Sequence, residues 1–408
     1  MNNCHTVVKK YSSHRNFFDL FTSKNIARHN YFICLGKAMT RTKKAVVLIL
    51  KCMAFVFSTL LIIVFSLYCA MWILVNGPSR TISNLFIETV SETSAAKFLA
   101  RMYRSQEEID EIVNRGNSDD DGGYLDNSLI DLPDDTTGVE DDDYKGGSKN
   151  GDDEGNDNGQ NGSIGDTQNV DTDNTDKVTP DADDGIEIVD VRGETYNGKM
   201  MIVHDPKRVF VAVPDSYGEN KRGLTLDGYI EKYGAVGGVN GGGFYDPNGT
   251  GRGGVPEGIV IYEGKLLWGD YGTEYWIAGL DENGLLYVNK MTPETALSLG
   301  IKYAASYGPA LVINGVPRTR LYGGLNPRTA IGQRADGAIL MLVIDGRSVS
   351  SLGATYDDLA EIMVSFGAVN ATNLDGGSSS LMSYKGEHLT RSAYIFGYRY
   401  MPTAFLVR

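Results

Sequence analysis

Residues 338–380 read AILMLVIDGRSVSSLGATYDDLAEIMVSFGAVNATNLDGGSSS, and this stretch carries the strongest local pattern of the chain. Its first eight residues are an apolar run ending in aspartate, which is typical of a strand covered on both faces. A helix should follow, because Thr355 and Asp358 stand at the two positions of a capping box and Gly367 can end the last turn. The chain then passes through NATNLD to Asp375. Strand, helix and strand in this order predict a βαβ crossover with parallel strands.

This crossover would bring two carboxylates to one edge of the sheet. If the strands are parallel neighbours, Asp345 and Asp375 lie at their carboxyl ends, where open α/β sheets bind ligands. Each aspartate precedes glycine, at Gly346 and at Gly376 and Gly377. Glycine lets a ligand approach the main chain, and free amides at such turns bind anions. We therefore expect a ligand site at this edge.

The rest of 185–408 consists mainly of short runs rich in β-branched and aromatic residues. Gly, Asn and Asp turns separate these runs, as in a sheet-rich domain. We therefore predict an α+β (mixed α/β) fold, with a central mixed sheet and the βαβ unit near the C-terminus.

Two further clusters resemble the Asp375 turn in composition. VNGGGFYDPNG, residues 239–249, places Asn240 before three glycines, and NPRTAIG, residues 326–332, places Arg328 between a proline and a predicted strand. Taken alone, each is also compatible with an ordinary turn or an exposed loop. Their occurrence together with Asp345-Gly346-Arg347 and Asp375 in one domain indicates a functional site.

The residue types in these clusters restrict the chemistry. Residues 185–408 contain only His204 and His388, neither of them near a motif, which argues against a Ser-His-Asp hydrolase despite the serines that follow Gly377. No His/Cys cluster has zinc-site spacing. Arginines with glycine amides favour a phosphate-bearing ligand, and carboxylates favour acid–base or nucleophilic chemistry at a sugar carbon.

The motifs NGGGFY, NPRTAIG, LVIDGR and NLDGGSSS, in this order and spacing, resemble the phosphodiester glycosidase family over roughly residues 190–408. The best-known type in that family removes N-acetylglucosamine from a phosphodiester on mannose, and many bacterial relatives are described as exopolysaccharide proteins. The resemblance implies that a sugar-1-phosphodiester is hydrolysed at its glycosidic bond. This chain departs from the family at Ser378, where a third glycine is usual, and at Gly243 and Glu257, and these departures bear on the identity of the substrate.

We expect the following roles from this resemblance and from the residues themselves. Arg328 and Arg347 would hold the phosphate, Asp375 would act at the sugar as base or nucleophile, and Asp345 would orient Asp375 or Arg347. Asn240 would hydrogen-bond the sugar or a phosphate oxygen. An alternative for Arg347 is a structural ion pair with Asp345. The predicted catalytic residues are Asp375 and Asp345, and the predicted substrate-binding residues are Asn240, Gly241, Gly242, Arg328, Arg347, Gly376, Gly377, Ser378 and Ser379.

Two other functions use the same residues. A non-catalytic surface module could bind phosphate-rich glycopolymers through its arginines and amides, and a glycan-phosphate transferase would use a sugar hydroxyl in place of water. The expected partners are a phosphorylated glycan and a lipid bilayer, without nucleic acid. We expect no cofactor and no protein metal site, and the sequence leaves a requirement for a divalent cation such as calcium open.

The 408 residues have a formal net charge of −14, but individual segments of the chain differ strongly in charge. The first 44 residues carry nine Lys/Arg and one Asp, whereas 117–184 carry 22 acidic and three basic residues and almost no large apolar ones. Such an acidic segment is predicted to be a disordered spacer, with calcium binding at DTDNTD as the alternative. The predicted organisation is a cytoplasmic basic arm at 1–44, a transmembrane helix at 45–76, a helical stalk at 77–116, the acidic spacer at 117–184 and the catalytic domain at 185–408.

The uncharged run Cys52–Val75 is long enough to cross a bilayer. Because positive loops stay in the cytoplasm, we predict a single-pass cell-membrane protein with its C-terminal domain outside. All four cysteines precede residue 77. The outer domain therefore has no disulfide, which favours a bacterial surface protein.

Overall fold

The structure is a computed structural model that describes residues 17–93, 96–115, 125–133, 184–394 and 396–408. The chain divides into two units, Met1–Gly77 and Pro78–Arg408. In the first unit, helix α1 spans Phe17–Asn76. Its part Lys43–Asn76 contains an 18-residue window with a mean hydropathy of 2.7 and is long and apolar enough to cross a membrane, by length and composition. This part contains the predicted span 45–76, and a helix of this kind is a candidate membrane anchor or signal sequence.

The second unit contains all other described elements. Its helices are α2 Arg80–Ser91, α3 Lys97–Arg101, α4 Gln106–Val113, α5 Leu226–Tyr233, α6 Pro293–Ser298 and α7 Tyr356–Ser365. Its strands are β1 Ile186–Arg192, β2 Asn197–Val203, β3 Val209–Ala212, β4 Gly237–Asn240, β5 Val260–Tyr262, β6 Lys265–Trp268, β7 Tyr275–Leu280, β8 Leu286–Met291, β9 Tyr303–Ser306, β10 Ala310–Ile313, β11 Val316–Pro317, β12 Arg328–Arg334, β13 Ile339–Ile344, β14 Ala368–Leu374, β15 Met382–Tyr384, β16 Glu387–His388 and β17 Ala404–Val407.

The strands form three sheets. A seven-stranded sheet has the order β1-β2-β13-β12-β14-β10-β11, and two five-stranded sheets have the orders β16-β15-β4-β17-β3 and β6-β5-β9-β7-β8. One apolar cluster takes side chains from all three sheets and forms the main core. A second cluster lies between the seven-stranded sheet and α7. The α+β class predicted from the sequence is thereby confirmed.

Strand β13 shows why the seven-stranded sheet is covered on both faces. Successive side chains of a strand point to opposite faces. Ile339, Met341 and Val343 belong to the main core, whereas Leu340 and Leu342 belong to the cluster under α7. The continuous apolar run is therefore buried on both sides, as predicted. Helix α7 begins with the predicted capping box: the Thr355 hydroxyl accepts from the Asp358 N–H, and the Asp358 carboxylate accepts from the Thr355 N–H.

The βαβ crossover differs from the prediction in one respect. Strands β13 and β14 run parallel, but they are not neighbours, because β12 lies between them and pairs antiparallel with both. All strand pairings among the described residues are antiparallel, so the sheet is not mixed. The intervening strand precedes β13 in the chain, and no local pattern reveals that it inserts there. Its first residue, Arg328, pairs with Ile344 and therefore stands at the same edge as Asp345 and Asp375.

The segment predicted as a stalk, 77–116, contributes α2, α3 and α4, and α2 lies against the domain. The Leu325 N–H donates to the Thr89 hydroxyl at 3.0 Å, and the guanidinium of Arg115 pairs with Glu88 and stacks on the Tyr322 ring. These contacts join the segment to the loop that precedes β12.

The structure describes 125–133 and Asp184 of the predicted acidic spacer, and the rest of 117–184 lies outside the described residues. Ile130 is buried, and the Asp131 N–H donates to the Ala335 carbonyl at 2.7 Å. The Asp126 N–H donates to the Asn314 side chain at 2.8 Å. This short stretch contains apolar residues that the acidic average of the segment conceals.

Candidate active site

Asp375 stands at the end of β14 and is held through its main chain and its side chain. Its N–H donates to the Gly241 carbonyl at 3.1 Å, and its own carbonyl accepts from the Asn240 amide at 2.6 Å. Its carboxylate accepts from the Gly376 N–H at 2.9 Å and from the Ser379 hydroxyl. The carboxylate is thus fixed in position while part of the residue remains accessible.

Burial raises the pKa of Asp375 to about 7. Desolvation disfavours the charged form, and the hydrogen bonds from Ser379 and Gly376 offset only part of it. The Arg399 guanidinium lowers the pKa, and the negative charge of Glu257 raises it. A carboxyl group with a pKa near 7 can both hold and release a proton at neutral pH, which suits acid–base catalysis.

Arg328, the first residue of β12, is a buried cation with a side-chain exposure of 5%. Its Nε donates to the Ala354 carbonyl at 3.2 Å, its Nη2 donates to the Gly324 carbonyl at 2.8 Å, and its guanidinium lies 3.9 Å from the Tyr356 ring centre. The same Nη2 pairs with the Glu92 carboxylate at 2.7 Å. Burial lowers the pKa of Arg328, but Glu92, Tyr356 and Tyr307 together raise it above its ordinary value.

The Glu92 carboxylate occupies a site made of three donors. Besides Arg328, it accepts from the Asn326 side-chain amide at 2.8 Å and from the Gly324 N–H at 3.2 Å. Glu92 follows directly after α2. Three convergent donors, one of them a buried cation, are what an anion site requires. No local pattern predicts this contact, because Glu92 and Arg328 are 236 residues apart in the chain.

Arg347 lies beside this anion site. Its Nη2 donates to the Asn326 side-chain oxygen at 3.1 Å, and a Cβ added to Gly377 would lie 3.1 Å from the same Nη2. Burial and the like charge of Arg328 lower the pKa of Arg347. The alternative ion pair with Asp345 is not formed, and the guanidinium faces the loop before β12 and the Gly377 turn.

Asp345 lies at the same edge but has other contacts. Its carboxylate accepts from the Arg391 N–H at 2.8 Å, and its carbonyl accepts from the Ser351 hydroxyl at 2.6 Å. Burial raises the pKa of Asp345, although Arg391 and Lys199 act in the opposite direction. In the described part of the chain this carboxylate therefore orients neither Asp375 nor Arg347, contrary to the expected role. Its hydrogen bond instead fixes the loop after β16.

Asn240 is fully buried, and its side chain is engaged within the protein. Its Nδ2 donates to the Asp375 carbonyl, and its Oδ1 accepts from the Thr329 hydroxyl at 2.7 Å and from the Leu381 N–H at 3.1 Å. These bonds tie β4, β12 and the turn after β14 together. The structure therefore gives Asn240 a positioning role, where the sequence suggested contact with the ligand.

The glycines of NGGGFY allow close packing rather than forming an open anion cradle. The Gly241 N–H donates to the Thr403 carbonyl at 3.0 Å, and the Gly242 N–H donates to the Thr403 hydroxyl at 2.8 Å. A Cβ would lie 2.4 Å from the Thr403 hydroxyl at Gly241 and 2.6 Å from the Ser306 carbonyl at Gly242. The amide of Gly377 is also engaged, with the Pro327 carbonyl at 2.8 Å. The predicted free amides are thus used for the fold at these three positions.

The three serines after Gly377 differ in their surroundings. Residues Gly377–Ser379 form a 3₁₀ turn, in which Ser379 is buried and bonds Asp375, while Ser378 is partly exposed. Ser380 is buried as well, and its hydroxyl has no hydrogen-bond partner among the described residues. Ser379 is therefore the serine that acts directly on the Asp375 carboxylate.

Four residues around Asp375 were not predicted: Glu257, Tyr307, Tyr356 and Arg399. Burial raises the pKa of Tyr307, and the charge of Asp375 raises it further. Arg399 is buried, pairs with Asp246 at 2.8 Å and lies between two aromatic rings. The tyrosines and the arginine stand outside the glycine-rich motifs, so no pattern marked them. Among the described residues, no cluster of His, Cys, Asp and Glu side chains could hold a metal ion.

The four motifs and these surrounding residues lie in one stretch that matches a known family model. Residues 233–408 match the phosphodiester glycosidase family. The resemblance predicted from the motifs is confirmed. The matched region contains both arginines, Asp375 and Glu257, whereas Glu92 precedes it.

Individual similarities cover parts of the chain. The SPbeta prophage-derived uncharacterized protein YomE of Bacillus subtilis (strain 168) is 34% identical over 145 residues, which are 32% of this chain and 22% of that protein. The chain thus spans about a fifth of the length of that relative.

Two solved structures are similar at lower identity. The catalytic domain of zebrafish N-acetylglucosamine-1-phosphodiester alpha-N-acetylglucosaminidase, in a form auto-inhibited by its pro-peptide, is 20% identical with a TM-score of 0.45, over 55% of this chain and 82% of that one. A putative exported protein of Burkholderia pseudomallei K96243 is 17% identical with a TM-score of 0.40, over 54% and 74%.

Proposed function

We propose that this protein is a membrane-anchored extracellular hydrolase that cleaves a sugar-1-phosphodiester at its glycosidic bond, on a cell-wall or exopolysaccharide-type glycan. The observation that carries the proposal is the Glu92 carboxylate bound by Arg328, Asn326 and the Gly324 N–H. These donors support an anion site near the turn that follows Asp375, and burial raises the pKa of Asp375 to about 7. The family match gives the same reaction class.

In this proposal the phosphate of the substrate takes the place of the Glu92 carboxylate. Arg328 and Asn326 would bind its oxygens, and Arg347 would add a second positive charge from its position on Asn326. The bond between the anomeric carbon and the phosphate oxygen breaks, its electron pair stays on the phosphate, and water supplies the new oxygen on the sugar. Asp375 is the carboxyl group at that bond. Pre-positioned charges of this kind stabilise the charge that develops on the leaving phosphate.

The activity is tested by incubating the full-length protein in detergent with a panel of sugar-1-phosphodiesters and following them by ³¹P and ¹H NMR. Free sugar and a phosphate monoester are the expected products. Binding without turnover would indicate the surface module instead. Transfer of the sugar phosphate to a glycan hydroxyl would indicate the transferase.

Because Glu92 fills the anion site, α2 and its C-terminal end must move before substrate binds. Glu92→Gln keeps the shape of the side chain and removes its charge. A hydrogen bond to a charged group contributes about 1.5–3 kcal/mol, so we expect the kcat/KM of Glu92→Gln to rise at least about 10-fold.

The matched control for this variant is Glu111→Gln, an exposed glutamate on α4. It should leave kcat/KM unchanged. An unchanged kcat/KM for Glu92→Gln itself would show that the segment does not obstruct the site.

The anchored topology gives a further prediction. Helix α1 has one apolar stretch of membrane-spanning length, and the basic arm before it should stay in the cytoplasm. Protease added to intact cells is expected to release a soluble C-terminal fragment cut within 117–184, which an antibody against 185–408 detects in the supernatant. If 185–408 is protected from protease until the membrane is opened, the opposite orientation is the correct one.

A further inference from the structure

Glu257 lies beside the glycine loop that holds Asp375. Its N–H donates to the Gly243 carbonyl at 2.9 Å, and a Cβ added to Gly243 would lie 3.1 Å from the Glu257 carboxylate. Two residues earlier in that loop, the Gly241 carbonyl accepts from the Asp375 N–H. Any side chain at position 243 would therefore intrude on the space beside the Glu257 carboxylate. Glycine at this position therefore lets the Glu257 carboxylate and the Tyr307 ring pack closely against the loop that holds Asp375.

The Glu257 carboxylate has no hydrogen-bond or ion-pair partner in the described part of the chain. The two acidic side chains near Glu257 differ in this respect, because Asp246 pairs with Arg399 and Asp375 accepts from the Gly376 N–H. Desolvation raises the pKa of Glu257, and the charge of Asp246 adds to it. Glu257 is an exposed residue, so its carboxylate is available to water or a ligand, and titratable groups with a shifted pKa are concentrated at functional sites.

Glu257 and Asp375 share one electrostatic environment. The charge of Glu257 raises the pKa of Asp375, and both carboxylates raise the pKa of the Tyr307 phenol. The ring of Tyr307 also lies against Gly243, 2.6 Å from the position that a Cβ would take there. The two carboxylates and this phenol therefore lie close enough to influence one another's protonation.

The two carboxylates have different neighbours, which separates their roles. The turn after Asp375 borders the cations: a Cβ on Gly376 would lie 3.9 Å from the Arg328 side chain, and one on Gly377 would lie 3.1 Å from Arg347. Asp375 is therefore next to the phosphate, and a bound anion would raise its pKa further, so that it is protonated at neutral pH. Glu257 has no cation beside it and is exposed, so water reaches it.

We infer that Glu257 is the second catalytic carboxylate, the base that activates the attacking water, and that Asp375 is the acid on the leaving phosphate. This inference rests on the proposed function. Glu257 accepts one proton from water while the oxygen of that water molecule bonds to the anomeric carbon. The bond from that carbon to the phosphate oxygen breaks, and the oxygen receives the Asp375 proton. Proton return from Glu257 to Asp375 through solvent restores the starting state.

The test compares full-length wild type, Glu257→Ala and Glu257→Gln on the same sugar-1-phosphodiester. Both variants are expected to lose about 10²- to 10⁴-fold in kcat, the usual contribution of a general base. Sodium azide should restore turnover of Glu257→Ala and give a glycosyl azide, because azide is a nucleophile that needs no base. Glu274→Gln, an exposed glutamate of the same domain, is the matched control and should keep wild-type kcat.

The pH profile gives an independent readout. With an ionised Glu257 and a protonated Asp375, wild-type kcat/KM falls below the pKa of Glu257 and above that of Asp375. The titratable groups that face Glu257 are unchanged in the variants; they are Asp246, Tyr307 and Asp375. Glu257→Gln should therefore lose only the fall of kcat/KM at low pH. Near wild-type kcat in Glu257→Gln, or no azide product from Glu257→Ala, would overturn the inference and leave the proposed function standing. If neither the wild type nor Glu92→Gln shows turnover, the proposed function itself is wrong.

Discussion

Asp375→Asn is expected to lower kcat/KM on a sugar-1-phosphodiester by about 10²- to 10⁴-fold, with the fold intact. The asparagine oxygen can still accept from the Gly376 N–H, and the main-chain bonds to Gly241 and Asn240 do not change. What is lost is the proton that the carboxyl group carries. The measurement is steady-state turnover of the folded variant, with circular dichroism and thermal unfolding to verify the fold.

The pH dependence of the wild type belongs to the same prediction. The protonated form of Asp375 is the active one, so kcat/KM should fall as the pH rises through about 7, the pKa to which burial raises this group. Asp375→Asn should lack this transition. Asp270→Asn, an exposed aspartate, should retain both the activity and the transition. Wild-type turnover in folded Asp375→Asn would show that Asp375 has only a structural role.

Arg328→Ala is expected to reduce kcat/KM on the phosphodiester by about 10- to 150-fold, and much less on an activated neutral glycoside of the same sugar. A hydrogen bond between charged partners contributes about 1.5–3 kcal/mol, and each 1.4 kcal/mol is tenfold. Only the diester carries an anion that loses its partner. Arg328→Lys should recover part of the loss, because one ammonium group does not reproduce the planar guanidinium.

The ratio of the two kcat/KM values is the quantity to compare, since it cancels the fraction of folded enzyme. This matters because Arg328 is buried, binds the Ala354 and Gly324 carbonyls and stacks on Tyr356, so its removal also destabilises the fold. Arg347→Ala is the second variant, because the Arg347 side chain makes a single hydrogen bond, to Asn326, and its removal disturbs the fold less. An unchanged ratio in both variants would mean that the arginines do not bind phosphate.

Local patterns in the sequence predicted the elements of the crossover correctly. The apolar run became β13, and Thr355 and Asp358 cap α7 as expected. Burial on both faces and helix capping depend on residues a few positions apart, so a sequence records them directly. Which strand lies between β13 and β14 depends on packing over the whole domain, and the insertion of β12 was therefore not predictable.

The candidate site was also predictable only in part, in its motifs but not in its side-chain contacts. The structure brings Arg328, Arg347 and Asp375 to one edge, as their motifs suggested, because glycine and proline turns fix the ends of their strands. The contacts of single side chains were not predictable. Asp345 accepts from the Arg391 N–H, and Glu92 reaches Arg328 from a segment with no motif of its own. A glycine motif also does not distinguish a free amide from close packing, and at Gly241 the structure shows packing.

In the proposed reaction, the bond between the anomeric carbon and the phosphate oxygen breaks, so water attacks the sugar and not the phosphorus. Hydrolysis of a sugar-1-phosphodiester in H₂¹⁸O by the full-length protein, and in parallel by Glu92→Gln, tests it directly. Mass spectrometry of both products locates the label. We expect ¹⁸O in the anomeric hydroxyl of the released sugar and none in the phosphate monoester. Label in the phosphate would mean attack at phosphorus, and it would contradict the assignment of Asp375 and the arginines to glycosidic cleavage.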